Sequence, residues 1–341
     1  MLCMILVSCT GQKTGKENDN NDKIAIEVGE IKFPPQDVLQ LKSYYLSSSV
    51  HVDSIDYLIG YNYRLHSLDC MNLKSKSVTQ IVLPGDGPDA IVRLSGIYAQ
   101  SLDSVWISDE SERAFLIDSV GTIKRMIDLK KYLEDQEQLL INTNYAMFTS
   151  HLFYNASRHS LMFLVKHTPS NTFIVKEVFI DEVGKMATYQ LSSSKVVPDM
   201  SKGYAYINFP NVNFVGENIV YNYPVESSIY MLDIRTNERK YILADSHYTS
   251  NIIEKCTTSG DYATLEKHWL ENSHFYDIMY LPKYKIYARL HADKVDFDEK
   301  KGMEKLINER DLYLMLFDEN MEKIGETKLS NCRYSPFTSW N

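Results

Sequence analysis

Paired aromatic side chains are the residues of this sequence whose spacing best suits ligand binding. Tyr204 and Tyr206 form one such pair, and Tyr221 and Tyr223 form another. Because side chains two residues apart on a β-strand point to the same side, each pair would present two rings together. Rings that face a channel or a rim can stack on sugars or hold peptide side chains. The same spacing also suits rings that pack between neighbouring sheets, so the pattern alone leaves both roles open.

Arg93 and Trp106 are secondary candidates for ligand contact on the same grounds. Catalytic residues stay unknown, because the sequence contains no G-x-S-x-G, H-E-x-x-H or Walker A motif. The nine histidines are scattered without an i, i+2 or i, i+4 pair, so neither a metal site nor a cofactor is predicted. The acidic run at residues 293–299 fails as an EF-hand, because Lys300 and Lys301 stand where a ligand and a glycine are needed.

Charge and composition narrow the class of protein. The net charge of −9 and the pI near 5.5 argue against a nucleic-acid partner, which needs clusters of Lys and Arg that neutralise phosphates. Hydrophobic residues make up 44% of the 341 residues, and the 24 tyrosines recur beside Ile, Val and Phe in short runs. This mixture fits a pleated, half-buried surface, so an all-β protein with a sizeable core is predicted.

Residues 1–9 have features of a bacterial lipoprotein signal that ends in Ser8-Cys9. The apolar run is far shorter than the roughly 20 residues of a membrane-spanning helix, and a small residue precedes the cysteine that would be acylated. Residues 10–22 contain no aliphatic or aromatic side chain and are predicted to form a flexible tether. Lipidation of Cys9 would place the protein in the cell envelope, with the membrane as a partner. The alternative is a frayed tail with a coincidental cysteine.

One strand unit recurs along the chain, and this repeat decides the predicted fold. In each copy, short apolar runs precede a run that ends in Asp, which is followed by a turn and a last amphipathic run. The Asp markers are Asp69, Asp118, Asp181, Asp233 and Asp318. Spacings of roughly 40–50 residues are typical of β-propeller blades, so wider intervals must contain insertions. Residues 23–341 are therefore predicted to form one β-propeller domain, with a two-sheet β-sandwich as the alternative.

Six blades are predicted, the last of them incomplete. Five units are visible, and an unassigned N-terminal strand at residues 23–33 is expected to close the ring with C-terminal sequence. Residues 330–341 supply at most one short strand, so the sixth blade should lack one or two strands. Unpaired strand edges invite association or disorder. We therefore expect that the natural C-terminus lies further on and that a longer chain is more stable.

Three segments, residues 87–108, 115–121 and 316–327, resemble the domain of unknown function 4221 family. The resemblance covers most of residues 24–341 and rests on strand and turn patterns. It implies a lipoprotein of Bacteroidetes-type gut bacteria, with a six-bladed propeller body and no assigned activity. The family pattern continues for some tens of residues beyond Gly325, whereas this sequence ends sooner.

A non-enzymatic binding or scaffold module, displayed on a membrane as a monomer, is the function that the sequence favours. Its ligand would be an unidentified protein or glycan. The alternative is a glycan-acting hydrolase or lyase that uses carboxylates in the propeller funnel as general acid and base. Carboxylates contributed by different blades leave no local motif, so the sequence keeps both functions open.

Overall fold

The computed structural model describes residues 2–7, 26–33, 44, 46–141, 150–195, 209–256 and 261–329, which consist mainly of antiparallel strands. Two N-terminal strands, β1 (Leu2–Val7) and β2 (Ile26–Ile31), form a small sheet of their own. Five larger sheets, the blades, then follow one another along the chain. In each blade, strands pair mainly with their sequence neighbours through short connections, which is why the repeat is visible in the sequence.

The strands of blades 1 and 2 are β3 (Ser47–Val52), β4 (Ile55–Asn62), β5 (Ser67–Asn72), β6 (Val78–Val82), β7 (Leu94–Ser101), β8 (Ser104–Asp109), β9 (Arg113–Ile117) and β10 (Ile123–Asp128). Those of blade 3 are β11 (Glu137–Leu139), β12 (Phe153–Asn155), β13 (Ser160–His167), β14 (Thr172–Phe179) and β15 (Met186–Gln190). Those of blades 4 and 5 are β16 (Asn211–Val215), β17 (Asn218–Asn222), β18 (Ile229–Asp233), β19 (Arg239–Ile242), β20 (His274–Leu281), β21 (Ile286–Ala292), β22 (Leu312–Phe317) and β23 (Lys323–Lys328).

Three of the five Asp markers hold the turn between the third and fourth strands of their blade. The carboxylates of Asp118, Asp233 and Asp318 each accept backbone N–H groups two to four residues further along, at 2.8–3.1 Å. Asn72 makes the same contacts in blade 1, so it is the counterpart there, whereas Asp69 is buried within β5. Such side chains stabilise a turn because they satisfy N–H groups that no strand partner reaches. The repeated Asp therefore records turn geometry.

Consecutive hairpins give every blade two unlike ends. The turns after the first and third strands span two to six residues and lie at one end, which we call the turn end. The opposite end, the loop end, carries the turns after the second strands and the connections between blades. The described residues of its longest segments are 129–136, 191–195, 243–256, 261–273 and 293–311. The last two of these contain helices α1 (Tyr262–Leu270) and α2 (Met303–Glu309). The loop end can change in sequence without disturbing the sheets. Loops on a rigid scaffold commonly carry binding residues for this reason.

The first strands of the blades lie side by side around a common axis. β3 contacts β7, β7 contacts β12, and β16 contacts β20. Ser150, which precedes β12, forms a parallel bridge with Val212 of β16. The backbone N–H of Ala99 in β7 donates to Ser48 Oγ in β3 at 3.0 Å. Blades arranged radially around their first strands define a propeller, so the prediction of an all-β propeller is confirmed and the β-sandwich alternative does not apply.

The hydrophobic core lies between neighbouring blades. One cluster joins blades 1 and 2 through residues such as Ile59 and Phe115, and another joins blades 2 and 3 through Trp106 and Phe163. A third extends from blades 3 and 4 to both helices. Stacking around an axis covers both faces of each sheet, so the inner strands are apolar on two sides rather than one.

The number of blades differs from the expected six. Within the described ranges the chain forms five blades, and β2 pairs with β1 from Leu2–Ile31 to Val7–Ile26 instead of joining C-terminal sequence. Both strands are six residues long, and residues 8–25 separate them in the sequence. Pairing of such near neighbours costs less chain entropy than pairing β2 with sequence at the other end of the chain. Residues 330–341, which were expected to supply another strand, lie outside the described residues.

Candidate functional site

A polar layer lies near the axis, where the first strands of blades 3, 4 and 5 meet. It consists of His151, Asn213 in β16 and Asp277 in β20. These residues come together because β16 is bridged to the segment before β12 on one side and contacts β20 on the other. Each member comes from a different blade. The layer is therefore a product of ring assembly and not of any local motif.

Hydrogen bonds hold part of the polar layer in place. The Asn213 Nδ2 group donates to Asp277 Oδ2 at 3.2 Å and to the Ile278 carbonyl at 2.7 Å. His151 Nε2 lies 3.9 Å from the same carboxylate oxygen, too far for a hydrogen bond. The His151 side chain is 8% exposed, and its Nε2 atom has no hydrogen-bond partner among the described residues. A polar group that bonded this nitrogen would relieve the cost of burying it.

The carboxylates near the axis limit the chemistry of the site. Asp277 is the single carboxylate in β3, β7, β12, β16 and β20, the first strands that the structure describes. Glycoside hydrolysis needs two carboxyl groups about 5–10 Å apart. These five described strands therefore do not by themselves supply the pair of carboxyl groups that glycoside hydrolysis uses. Across the described ranges, no group of three or more His, Cys, Asp or Glu is placed to hold a metal ion.

Three half-buried rings form an aromatic arc across the first strands of blades 2, 3 and 4. Tyr98 of β7 meets Phe153 of β12 edge to face, with ring centroids 5.1 Å apart and planes at 73°. Phe153 stacks on Phe214 of β16 at 4.9 Å and 14°. Burial raises the pKa of the Tyr98 hydroxyl, so this group stays neutral and can donate a hydrogen bond at physiological pH. The three rings also pack against the hydrophobic core clusters.

A second polar group, the Ser246 network, is buried between the connection after β19 and blade 5. Ser246 Oγ donates to Glu326 Oε1 at 2.6 Å and lies 3.0 Å from His291 Nε2. Burial alone would raise the pKa of Glu326, but hydrogen bonds from His291, Lys323 and Ser246 outweigh it and lower the pKa to about 2. Burial lowers the pKa of His291, which is therefore neutral at pH 7.

The Ser246 network has the residue types of a Ser–His–Glu triad but not its geometry. In a hydrolase, the histidine uses one ring nitrogen for the serine and the other for the carboxylate. Here His291 Nε2 faces both Ser246 and Glu326. Ser246 Oγ also accepts the N–H groups of Tyr248 and Thr249, at 2.9 and 3.0 Å. A hydroxyl engaged in this way is a structural tie between blades 4 and 5, not an activated nucleophile.

The predicted pair Tyr221 and Tyr223 lies in the core. Tyr221 stacks on Tyr230 at 5.1 Å and 17°, and its hydroxyl accepts the Ser192 N–H at 2.9 Å. The Tyr223 hydroxyl donates to the Ser192 carbonyl at 2.8 Å. Both tyrosines are at most 2% exposed. Their surroundings match the inter-blade packing alternative and leave no ring face open to a ligand in this conformation.

The other predicted candidates do not form one site. Trp106 is buried between blades 2 and 3, where it stacks on Tyr154 at 5.8 Å and 30°. Arg93 is at the loop end with a side chain that is 62% exposed, and it lies 3.5 Å from Glu110. The remaining candidates lie outside the described residues: Tyr204, Tyr206 and Cys9. Ligand contact by Arg93 stays a prediction.

Neither the polar layer nor the aromatic arc was predicted from the sequence. One signal was available, because Asp277 is an acidic residue in the middle of the apolar run at residues 274–281. A charged residue in a buried strand needs a partner or a function. The partners themselves stand more than sixty residues away, at Asn213 and His151, and only the assembled ring shows them.

Comparisons with known proteins agree with this fold. The profile of the family described as a domain of unknown function, DUF4221, matches residues 17–328. The crystal structure of a DUF4221 family member from Bacteroides vulgatus is similar, with a TM-score of 0.67 and 14% identity over 87% of this chain and 84% of that chain. A Bacteroides fragilis protein named as exported has a TM-score of 0.52 and 14% identity over 87% of this chain and 74% of that chain. No curated protein matches the sequence. Because the family match spans most of the sequence, the chain belongs to the DUF4221 family.

Proposed function

We propose that the chain is an extracytoplasmic binding module whose ligand extends a polar group into the polar layer at the propeller axis. The observation that carries this proposal is the meeting of His151, Asn213 and Asp277 from three blades. Within it, His151 Nε2 is buried without a hydrogen-bond partner among the described residues. A core that served packing alone would be at least as stable with apolar groups at these positions.

The polar layer suits a narrow polar group rather than a whole ring. Asp277 is 4% exposed, so only a slender extension of a ligand would reach it. A hydroxyl or an amine could donate to the Asp277 carboxylate and also bond His151 Nε2, which lies 3.9 Å away. The aromatic arc would contact the rest of the ligand. Both a glycan hydroxyl and a polar peptide side chain meet these requirements.

The cell envelope is the proposed location. A relative of similar fold is named as exported, which supports this location. The lipoprotein signal at residues 1–9 supports anchoring through a lipid on Cys9. Processing before Cys9 would also remove β1, so the mature protein would carry β2 without the partner strand described above.

A ligand screen followed by one isosteric substitution tests the proposal. Neutral oligosaccharides and short peptides would be screened against the full chain by thermal shift, since a ligand of the folded state raises its stability. Any hit would then be measured by calorimetry against wild type and Asp277→Asn. Loss of the carboxylate acceptor should weaken binding about tenfold or more.

The matched control for this experiment is Asp56→Asn. His51 and Asp56 also form a histidine–carboxylate pair, at 2.6 Å, but their side chains are 63% and 56% exposed. This variant should bind as wild type does. Equal affinity of Asp277→Asn and wild type for every hit would show that the polar layer is not part of the binding site.

A further inference from the structure

Four stacked rings form an aromatic column that runs from the axis of blade 5 to the protein surface. Phe275 of β20 stacks on His291 of β21 at 5.5 Å and 17°. His291 stacks on Tyr313 of β22 at 5.2 Å and 20°, and Tyr313 stacks on Tyr248 at 4.9 Å and 17°. The first three residues are direct cross-strand partners, so the sheet itself sets their spacing. Only the outermost ring comes from outside the sheet.

Tyr248 belongs to the connection between blades 4 and 5 and is held by the Ser246 network. Its N–H donates to Ser246 Oγ at 2.9 Å, and that oxygen in turn donates to Glu326. Asn251 closes the same turn, because its Oδ1 accepts the Ser246 N–H at 2.7 Å and its Nδ2 donates to the Ser246 carbonyl at 3.2 Å. The Tyr248 backbone is thus fixed by a buried network before any ligand arrives. A preorganised group loses little conformational entropy on binding.

The outermost ring of the column presents a stacking surface. One face of Tyr248 lies against Tyr313, which is 6% exposed, yet Tyr248 itself is 48% exposed. The exposed area therefore belongs to the opposite face and the ring edge. A ring that is supported from behind and open in front can stack on a flat partner without rearrangement.

The loop that carries Tyr248 also exposes a carboxylate to solvent. The exposed Asp245 lies three residues before Tyr248 in the same loop. Its carbonyl accepts a hydrogen bond from Lys323 Nζ at 2.8 Å, which brings an ammonium group to the loop. A carboxylate and an ammonium group in the loop that carries an open aromatic ring are groups that can bond sugar hydroxyls.

We propose that Tyr248 and Asp245 form a second binding site, at the loop end, that stacks on a neutral sugar ring. The C–H face of a pyranose would cover the open face of Tyr248. Its hydroxyls would bond the Asp245 carboxylate, whose Oδ1 atom also accepts a hydrogen bond from Ser227 Oγ at 2.5 Å. A nucleotide is disfavoured, because its phosphates would meet a chain with a net charge of −9. This site shares no residue with the polar layer, so either proposal can fail without the other.

Calorimetry with neutral gluco-, xylo-, manno- and galacto-oligosaccharides tests this site on the full chain. At least one of these sugars should bind wild type, and Tyr248→Ala should weaken that binding about tenfold or more. Tyr248→Trp keeps an aromatic face and should retain binding. Tyr284→Ala is the matched control, because Tyr284 is 46% exposed but lies in the β20–β21 turn at the other end of the blade. This control should bind as wild type does.

A further variant separates preorganisation from simple exposure. Tyr313→Leu leaves Tyr248 in place but removes the ring behind it, so affinity should fall several-fold while thermal melting shows that the chain remains folded. The proposal is overturned if none of the sugars binds wild type, or if Tyr248→Ala binds them as tightly as wild type. It is also overturned if the surface binds short peptides and no sugar, since that outcome would identify a protein-docking surface instead.

Discussion

The Ser246 network should make the stability of the protein depend on pH through Glu326. This carboxylate accepts hydrogen bonds from Ser246, from the His247 N–H at 3.0 Å and from Lys323 at 2.7 Å. Its side chain is 2% exposed, so solvent does not screen these contacts. Glu326→Gln keeps the size of the side chain but removes its charge. The ionised form of Glu326 should account for most of the effect of this substitution.

The magnitude follows from the pKa of Glu326. Folding lowers it from 4.5 to about 2, and one unit of pKa corresponds to about 1.4 kcal/mol. The ionised carboxylate therefore contributes roughly 3 kcal/mol to the free energy of unfolding at neutral pH. Because the folded-state pKa is the lower one, this contribution is complete above the unfolded value of 4.5 and disappears as the pH falls toward 2. Glu326→Gln should thus cost roughly 2–3 kcal/mol at pH 7 and much less at pH 3.

Urea unfolding of wild type and Glu326→Gln at a series of pH values between 7 and 3 measures this difference. Glu319→Gln is the control, because Glu319 belongs to the same blade but is 55% exposed and lies 3.9 Å from Lys285. An exposed pair of this kind contributes little, so this variant should track wild type at every pH. A loss of stability in Glu326→Gln that stays constant from pH 7 to pH 3 would refute the electrostatic explanation.

Two further predictions concern the membrane anchor and the blade turns. Expressed with its leader in a Gram-negative host, wild type should partition with membranes, and Cys9→Ala should be released or left unprocessed; equal membrane recovery of both would exclude lipidation. Asp318→Ala should lower the free energy of unfolding by about 1 kcal/mol, because it removes two hydrogen bonds to the N–H groups of Asn320 and Glu322. Unchanged stability of that variant in chemical denaturation would show that the Asp marker does not hold the turn.

The propeller could be predicted from the sequence because its strands pair mainly with their neighbours in the sequence. Each blade is built from short hairpins, and the turn residues Asp118, Asp233 and Asp318 stand where the third strands of blades 2, 4 and 5 end. The blade count was less certain, because the pairing of β2 depends on which distant strand is available. In blade 1 the repeat pattern selected Asp69, but the residue that holds the turn is Asn72, three positions later.

The sites could not be predicted in the same way. The period of two places Tyr221 and Tyr223 on one side of a strand, but propeller strands are covered on both sides, so the side that meets a ligand cannot be chosen from periodicity. Tyr248 and Tyr313 stack although 65 positions separate them in the sequence. Ser246 and Glu326 form a hydrogen bond across 80 positions. Such contacts arise only when blades 4 and 5 meet.

A crystal structure of the chain with its tightest ligand from the screen would show whether the polar layer binds that ligand. We expect a polar ligand atom within hydrogen-bond distance, about 2.7–3.2 Å, of both His151 Nε2 and the Asp277 carboxylate. The rest of the ligand should lie against the aromatic arc. A ligand bound elsewhere, with His151 and Asp277 still 3.9 Å apart and untouched, would contradict this expectation.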